Sequence, residues 1–99
     1  MKHHDPELEA LPREIWAALP LNRRQKQVAL GIMQGRTTKE IARRCGCDYR
    51  TVETYRLQIR ERLGIRCARD VAPILASEIT RYWAATLVKT AIVFARAFP

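Results

Sequence analysis

The stretch TTKEIARRCGCDYRTVETYRLQIRERL, residues 37–63, predicts two helices joined by a short turn. Thr37 and Glu40 have the spacing of a capping box, and Gly46 ends the first helix after about two turns. Asp48 can cap the second helix, whose apolar residues recur at steps of three and four. A turn this short lays the second helix across the first, as in a helix-turn-helix, and leaves its N-terminal half exposed. An ordinary three-helix core is the alternative interpretation.

The sequence before this stretch also has the pattern of helices. Asn22 and Gln25 form another capping box, ahead of a helix that a glycine ends. Earlier still, Pro12 starts a short helix toward Leu19, whose apolar side chains can pack on the C-terminal part of the chain. Apolar and polar residues nowhere alternate with the period of two that a half-buried strand requires. The sequence therefore predicts an all-α protein.

The chain is strongly basic, and its surplus of positive charge lies in the middle. It has 99 residues, with 18 Lys and Arg against 10 Asp and Glu, and a formal net charge of +8. Residues 21–66 alone carry +8, whereas residues 1–20 carry −2 and residues 67–99 carry +2. The length allows one small domain and excludes a multidomain enzyme. Cations clustered in a compact helical segment favour a phosphate-binding face over a merely solvated surface.

No pattern of residues supports catalysis, a metal site or a cofactor. The chain has no nucleophile paired with a histidine base, no glycine-rich phosphate loop and no carboxylate pair in an apolar setting. Its cysteines, Cys45, Cys47 and Cys67, are an odd number, and a single C-x-C pair is a weak match to the spacing of zinc ligands. Because no apolar signal segment follows Met1, we expect a reducing, cytoplasmic location.

Residues 21–71 resemble the DNA-binding domain of the LuxR/FixJ/GerE family of bacterial transcription regulators. The resemblance rests on four runs taken together: QG at 34–35, TTKEIARR at 37–44, RTVE at 50–53 and RLGIR at 62–66. The DNA-binding module of sigma factors shares the middle run. The sequence from Tyr55 to Ile65 and onward to Val71 favours the LuxR type over the sigma type.

This resemblance implies a LuxR-type four-helix core with an extra N-terminal helix and a long apolar C-terminal helix or pair of helices. We expect an N-terminal extension at 1–20, the DNA-binding domain at 21–76 and an apolar, dimerising part at 77–99. The resemblance also implies a stand-alone regulator that binds double-stranded DNA in the bacterial cytoplasm, in association with the nucleoid. By the same resemblance, residues 48–63 are the recognition helix, which enters the major groove.

Helical geometry assigns the outward face of the recognition helix. If Val52 and Ile59 face the core, Glu53, Thr54 and Leu57 point outward, and we predict that these three contact bases. Glu53 can accept a hydrogen bond from cytosine, and Thr54 can hydrogen-bond or meet a thymine methyl group. The predicted phosphate contacts are Lys39, Arg50, Thr51, Arg56 and Arg60. Two alternatives stay open: Glu53 pairs with an arginine of its own helix, or Lys39 is an ordinary solvated charge.

The C-terminal part contains a proline and a long apolar row. Pro73 falls inside the fourth helix that the resemblance implies, so that helix either kinks or starts late, with Pro73 in its first turn. Beyond it, residues that step by four are predicted to join two chains into a homodimer. These residues are Leu75, Ile79, Trp83 and Leu87, and the residues that widen the row are Tyr82, Val88, Ile92, Phe94 and Phe98.

The apolar tail has two alternative roles. A membrane span is disfavoured because Lys89 and Arg96 interrupt the apolar run, so we expect no membrane partner. The other alternative is a protein-interaction module, in which the tail binds a different regulator or RNA polymerase and the DNA-binding domain has only weak affinity.

Overall fold

A computed structural model describes residues 6–97, so Phe98 and the first five residues of the N-terminal extension lie outside it. The described chain consists of helices and contains no strand, which confirms the all-α prediction. The helices are α1 (Pro6–Glu9), α2 (Arg13–Ala17), α3 (Arg23–Met33), α4 (Thr38–Cys45), α5 (Tyr49–Leu63) and α6 (Val71–Ala97), with a 3₁₀ turn at Ala68–Asp70 before α6.

Both predicted capping boxes are present. The Gln25 N–H donates to Asn22 Oδ1 at 2.9 Å, and the Asn22 N–H donates to Gln25 Oε1 at 3.0 Å. At the start of α4, the Glu40 N–H donates to Thr37 Oγ1 at 3.1 Å, and the Thr37 N–H donates to Glu40 Oε1 at 2.8 Å. These reciprocal bonds satisfy N–H groups that have no partner within a helix, so each helix begins where its capping residues lie.

The core forms around α3, which contacts α4, α5 and α6. Its centre consists of side chains that are fully buried: Val28, Val52, Ile59, Val71 and Leu75. One polar side chain, Gln25, is buried among them, and its Nε2 donates to Gln58 Oε1 of α5 at 3.0 Å. Gln25 therefore caps its own helix and also ties that helix to the middle of α5.

Helices α3 and α4 approach each other closely at Gly31. A Cβ atom at this position would lie 2.7 Å from Cγ1 and 3.0 Å from Cδ1 of Ile41. Ile41 is itself buried, so its side chain occupies the space that a larger residue 31 would need. The missing side chain of Gly31 is what lets α4 lie this close to α3.

Residues 6–20, the described part of the N-terminal extension, belong to the same core. Ile15, Trp16 and Leu19 are buried, and α2 contacts α6, as the expected packing on the C-terminal part requires. Trp16 Nε1 donates to the Leu8 carbonyl oxygen at 3.2 Å, which links α2 to α1. The Lys26 ammonium lies 5.9 Å from the centre of the Trp16 ring, at cation–π distance. Residues 6–20 therefore pack as an additional layer of the domain.

Pro73 lies in the first turn of α6. This helix begins at Val71, so the expected late start is confirmed. A proline is compatible with the first turn because the N–H that it lacks would have no partner within the helix. From there α6 continues to Ala97 as one helix, with no break between residues 76 and 77.

The predicted dimerisation row winds around α6 instead of following one face. A step of four residues advances about 40° beyond a full turn, so a row of such steps moves to the opposite side within a few turns. Leu75 is fully buried in the core and Ile79 is partly buried against it, whereas Trp83 is 49% and Leu87 67% exposed. Leu75 therefore packs within its own chain, which corrects its assignment to a surface between two chains.

The end of α6 extends beyond the rest of the domain. The molecule measures 59 × 33 × 20 Å, and nearly every residue after Tyr82 is exposed. Within residues 6–97, no helix combines the length and apolar character that crossing a membrane requires.

Candidate nucleic-acid interface

Helix α5, the predicted recognition helix, packs against the core on one side and is exposed on the other. Val52 and Ile59 are fully buried against α3 and α4, and Tyr55 and Leu63 are partly buried beside them. Gly64 has a left-handed conformation, with φ of 65°, and ends the helix. The opposite face of α5 can therefore meet a ligand while its buried face keeps it in place.

All three predicted base contacts lie on the exposed face of α5. Glu53 and Thr54 are exposed, and Leu57 is 47% exposed. Thr54 Oγ1 donates to the Arg50 carbonyl oxygen at 3.2 Å, so its hydroxyl oxygen remains able to accept from a base. Glu53 forms no ion pair with any residue between 6 and 97, and the alternative that it pairs with Arg50 or Arg56 is not realised there.

The predicted phosphate contacts surround this face. Lys39, Arg50 and Arg60 are exposed, whereas Thr51 and Arg56 are half-buried. Over the described residues, none of the four cationic side chains in this set forms a hydrogen bond or an ion pair. Their charges are therefore neutralised only by solvent ions, which a phosphate backbone would displace.

Five other cations of the basic segment, residues 21–66, have partners within the protein. The Arg24 guanidinium donates to the Cys45 carbonyl oxygen at 3.1 Å, and that of Arg62 donates to the Pro20 carbonyl oxygen at 3.3 Å. Lys26 lies over the Trp16 ring. The remaining two, Arg36 and Arg44, both bind Glu7 of α1. These contacts separate the cations that hold the fold together from those that are available for a ligand.

Glu7 binds two arginines from different parts of the sequence. Both nitrogens of the Arg36 fork donate to its carboxylate, at 3.1 and 3.2 Å, and Arg44 Nη2 donates to Oε1 at 2.6 Å. The Arg36 hydrogen bonds, with the charges of both arginines, hold the pKa of Glu7 below its ordinary value. Arg36 and Arg44 are therefore engaged with the N-terminal extension.

A shallow depression of about 280 Å³ lies beside Leu57, and its lining includes Arg66, which the sequence pattern did not predict as a site residue. Arg66, which follows the end of α5, joins Arg56 and Arg60 in lining it. Helical periodicity could not place Arg66 because it lies beyond Gly64, where the helix has ended. Its position in the basic segment was the available signal. The remaining lining residues are Glu53, Leu57, Cys67 and Ala68.

The backbone N–H groups in the first turn of α5 are only partly available to bind an anion. The Asp48 carboxylate accepts from the Arg50 N–H at 2.9 Å, so this amide already has a charged partner. A phosphate near this end would meet the Asp48 charge as well as the remaining amides. The side chains of Lys39 and Arg50 are consequently better suited to hold a phosphate than the helix end is.

The family comparison agrees with this geometry. Residues 19–74 match the model of a family described as bacterial regulatory proteins of the luxR family. No curated protein and no solved structure matches the chain significantly. The matched segment contains α3, α4, α5 and the start of α6, which together form the helix-turn-helix and its support. The chain belongs to the luxR family of bacterial regulatory proteins, and its helix-turn-helix is that of a DNA-binding transcription regulator.

Proposed function

We propose that the protein is a sequence-specific regulator that binds double-stranded DNA as a homodimer, in a bacterial cytoplasm and on nucleoid DNA. The observation that carries this proposal is the composition of the exposed face of α5. Glu53, Thr54 and Leu57 are exposed together, and the cations around them form no ion pair within the described chain. Such a surface offers base-reading groups at its centre and phosphate-binding groups at its edge.

Roles within this surface follow from the chemistry of each side chain. Glu53 accepts from cytosine N4, Thr54 hydrogen-bonds a base or contacts a thymine methyl, and Leu57 makes apolar contact. Lys39, Arg50, Thr51, Arg56 and Arg60 hold the phosphates and set the register of the helix in the groove. Arg66 joins the phosphate-binding group, since it lines the same depression as Arg56 and Arg60.

Selection of binding sites from a random DNA pool tests the proposed base contact of Glu53. We expect the wild-type protein to enrich a defined motif and Glu53→Gln to change the preferred base at one position in each half-site. A correct contact contributes about 1–3 kcal/mol of discrimination. Glu61→Gln is the matched control because it alters the net charge of the same helix equally, from an exposed position two turns further on. Uniform, weak retention of all sequences would contradict specific recognition and favour a protein-interaction module.

The homodimer is proposed from the C-terminal helix. Trp83 and Leu87 are large apolar side chains that stay exposed in the single chain, and Ile79 is only partly buried. An exposed apolar patch of this kind usually marks an interaction surface. Two chains related by a two-fold axis would present two recognition helices to a pseudo-palindromic site. Sedimentation equilibrium should give twice the chain mass, and the selected motif should be an inverted repeat; a single chain mass would contradict the homodimer.

A further inference from the structure

The last four or so turns of α6 carry an apolar stripe on the side that faces away from the body of the domain. Its members, here called the outward stripe, are Trp83, Ala84, Leu87, Ala91, Phe94 and Ala95. At about 100° per residue they fall within an arc of roughly 120°. Val71, Leu75 and Tyr82, which pack on the body, lie on the opposite side of the helix. Nearer the start of α6, the exposed residues Pro73 and Thr80 continue the line of the stripe and confirm its direction.

The outward stripe contains no charged residue, although residues 77–97 contain four: Glu78, Arg81, Lys89 and Arg96. By the same helical geometry, Glu78, Lys89 and Arg96 lie on the other side of the helix, and Arg81 lies about 40° outside the edge of the arc. Arg81 is directed toward Glu78, with which it forms an ion pair at 3.5 Å. The stripe also has a shallow apolar groove, lined by Leu87, Thr90, Ala91, Phe94 and Ala95. Another helix could therefore lie along the stripe without burying an ionic group.

Large and small side chains alternate along the stripe. When a second stripe runs in the opposite direction, its small side chains lie beside the large side chains of the first. We propose that the outward stripe binds the same stripe of a second copy of this chain, with the two α6 helices antiparallel and centred near residue 89. In this register Leu87 of one chain lies level with Ala91 of the other. Phe94 then lies level with Ala84, and Trp83 with Ala95. Each large side chain has an alanine beside it, so the two helices can approach closely.

A parallel pair would lack this complementarity. Each residue would lie level with its own copy, so layers of two leucines or two phenylalanines would alternate with layers of two alanines. Such layers require different distances between the helix axes, and a straight pair would leave gaps at the alanines. The antiparallel arrangement also places the two bodies at opposite ends and on opposite outer sides of the helix pair, where they do not collide.

The contact is large enough for a specific dimer. From the exposed fractions of Trp83, Leu87 and Phe94, with the three alanines, the stripe offers roughly 500 Å² per chain, or about 1,000 Å² in the pair. That is near the lower limit for a specific interface. The inference rests on the proposed homodimer and adds which face pairs, in which direction and in which register.

A matched pair of substitutions tests the face. Leu87 and Val93 are both 67% exposed in the single chain, but only Leu87 belongs to the outward stripe. Leu87→Asp buries two carboxylates in the dimer and should weaken self-association by at least about 100-fold. Val93→Asp should leave the association constant nearly unchanged. Sedimentation equilibrium at several protein concentrations measures both. Equal loss in the two variants, or loss in Val93→Asp alone, would overturn the assignment of the face.

Disulfide cross-linking tests direction and register in the full chain with Cys45, Cys47 and Cys67 replaced by alanine. Circular dichroism must first show that this chain keeps its helix content. In the antiparallel register, Leu87→Cys mixed with Ala91→Cys should form a mixed disulfide. Each variant alone should not, because identical positions are offset by about 6 Å along the axis in addition to the distance between the helices.

Each outcome of these experiments bears on a different claim. Disulfides within Leu87→Cys alone would show a parallel pair and overturn the direction. A stable dimer with no cross-link in any mixture would overturn the register and leave the proposed homodimer standing. If the protein is a monomer and the amides of α6 become protected from hydrogen exchange on anionic lipid vesicles, a membrane surface covers the stripe. That outcome would overturn both dimer claims and leave the DNA-binding proposal to its own test.

Discussion

Replacing Gly31 with alanine should destabilise the protein, although alanine is the better helix former. Gly31 lies inside α3, where alanine is ordinarily more favourable by about 1 kcal/mol. The new Cβ, however, would lie 2.7 Å from Cγ1 of the buried Ile41. Relieving that contact requires α4 or the Ile41 side chain to shift, and overpacking of this kind costs about 1–3 kcal/mol. The net expectation for Gly31→Ala is a loss of about 1 kcal/mol in the free energy of unfolding.

The sign of the effect should reverse when Ile41 is truncated. Ile41→Ala by itself should cost about 2–5 kcal/mol because it leaves a cavity. In that background the methyl group introduced at position 31 meets no obstacle, and Gly31→Ala should stabilise by about 1 kcal/mol. The two substitutions are therefore expected to be coupled by about 2 kcal/mol in a double-mutant cycle.

Urea unfolding followed by circular dichroism measures this coupling. All four proteins are compared at one chain concentration, because self-association makes apparent stability depend on concentration. If Gly31→Ala stabilises by about 1 kcal/mol in both backgrounds, the coupling is zero. That result would refute the reasoning, since it would mean that α3 and α4 separate at no cost and that Gly31 does not set their distance.

Three further predictions concern charge and the buried amide. Arg60→Ala should weaken binding to all DNA sequences alike and reduce the slope of log K against log salt concentration by about one unit. Arg44→Ala is the control, because Arg44 is already ion-paired and its loss should leave that slope unchanged. Equal slopes for the two variants would contradict the assignment. Because ion pairs lower the pKa of Glu7, its stabilisation should be complete above the ordinary glutamate value of 4.5 and disappear as the pH falls through the lower pKa of the folded state. The difference in unfolding free energy between wild type and Glu7→Gln, measured from pH 7 to 3, should shrink in that window, and a constant difference would be inconsistent with the ion pairs. Gln25→Leu should cost about 1–3 kcal/mol, and adding Gln58→Leu should cost less than the sum of the single effects, because the two amides share one hydrogen bond; strict additivity in urea unfolding would argue against that bond.

The local features of the fold could be predicted from the sequence because their signals are local. Thr37 with Glu40, and Asn22 with Gln25, are three residues apart, and each pair forms the expected capping box. The late start of α6 likewise follows from Pro73, whose ring excludes an interior helical position. The family resemblance supplied the arrangement of these helices, which periodicity alone does not determine.

The features that could not be predicted depend on contacts between distant residues. Glu7 is 29 residues from Arg36 and 37 from Arg44, so no periodic pattern relates them. The row from Leu75 to Leu87 was predicted to lie on one face of α6 because residues four apart stay close to one face over two turns. Over longer distances the rotation of about 40° per step moves the row to another face. For Arg66, the helical pattern ended before the residue was reached.

The continuity of α6 has a consequence for how this protein tolerates insertions and deletions. Because one unbroken helix connects the core to the tip, a single residue inserted after Tyr82 would turn everything beyond it by about 100° and move it by about 1.5 Å. The outward stripe would then point sideways relative to the recognition helix, whereas an insertion of seven residues would restore its direction to within about 20°. The direction of the stripe therefore limits which insertions and deletions α6 tolerates. Tolerated changes in length correspond to nearly whole numbers of helical turns.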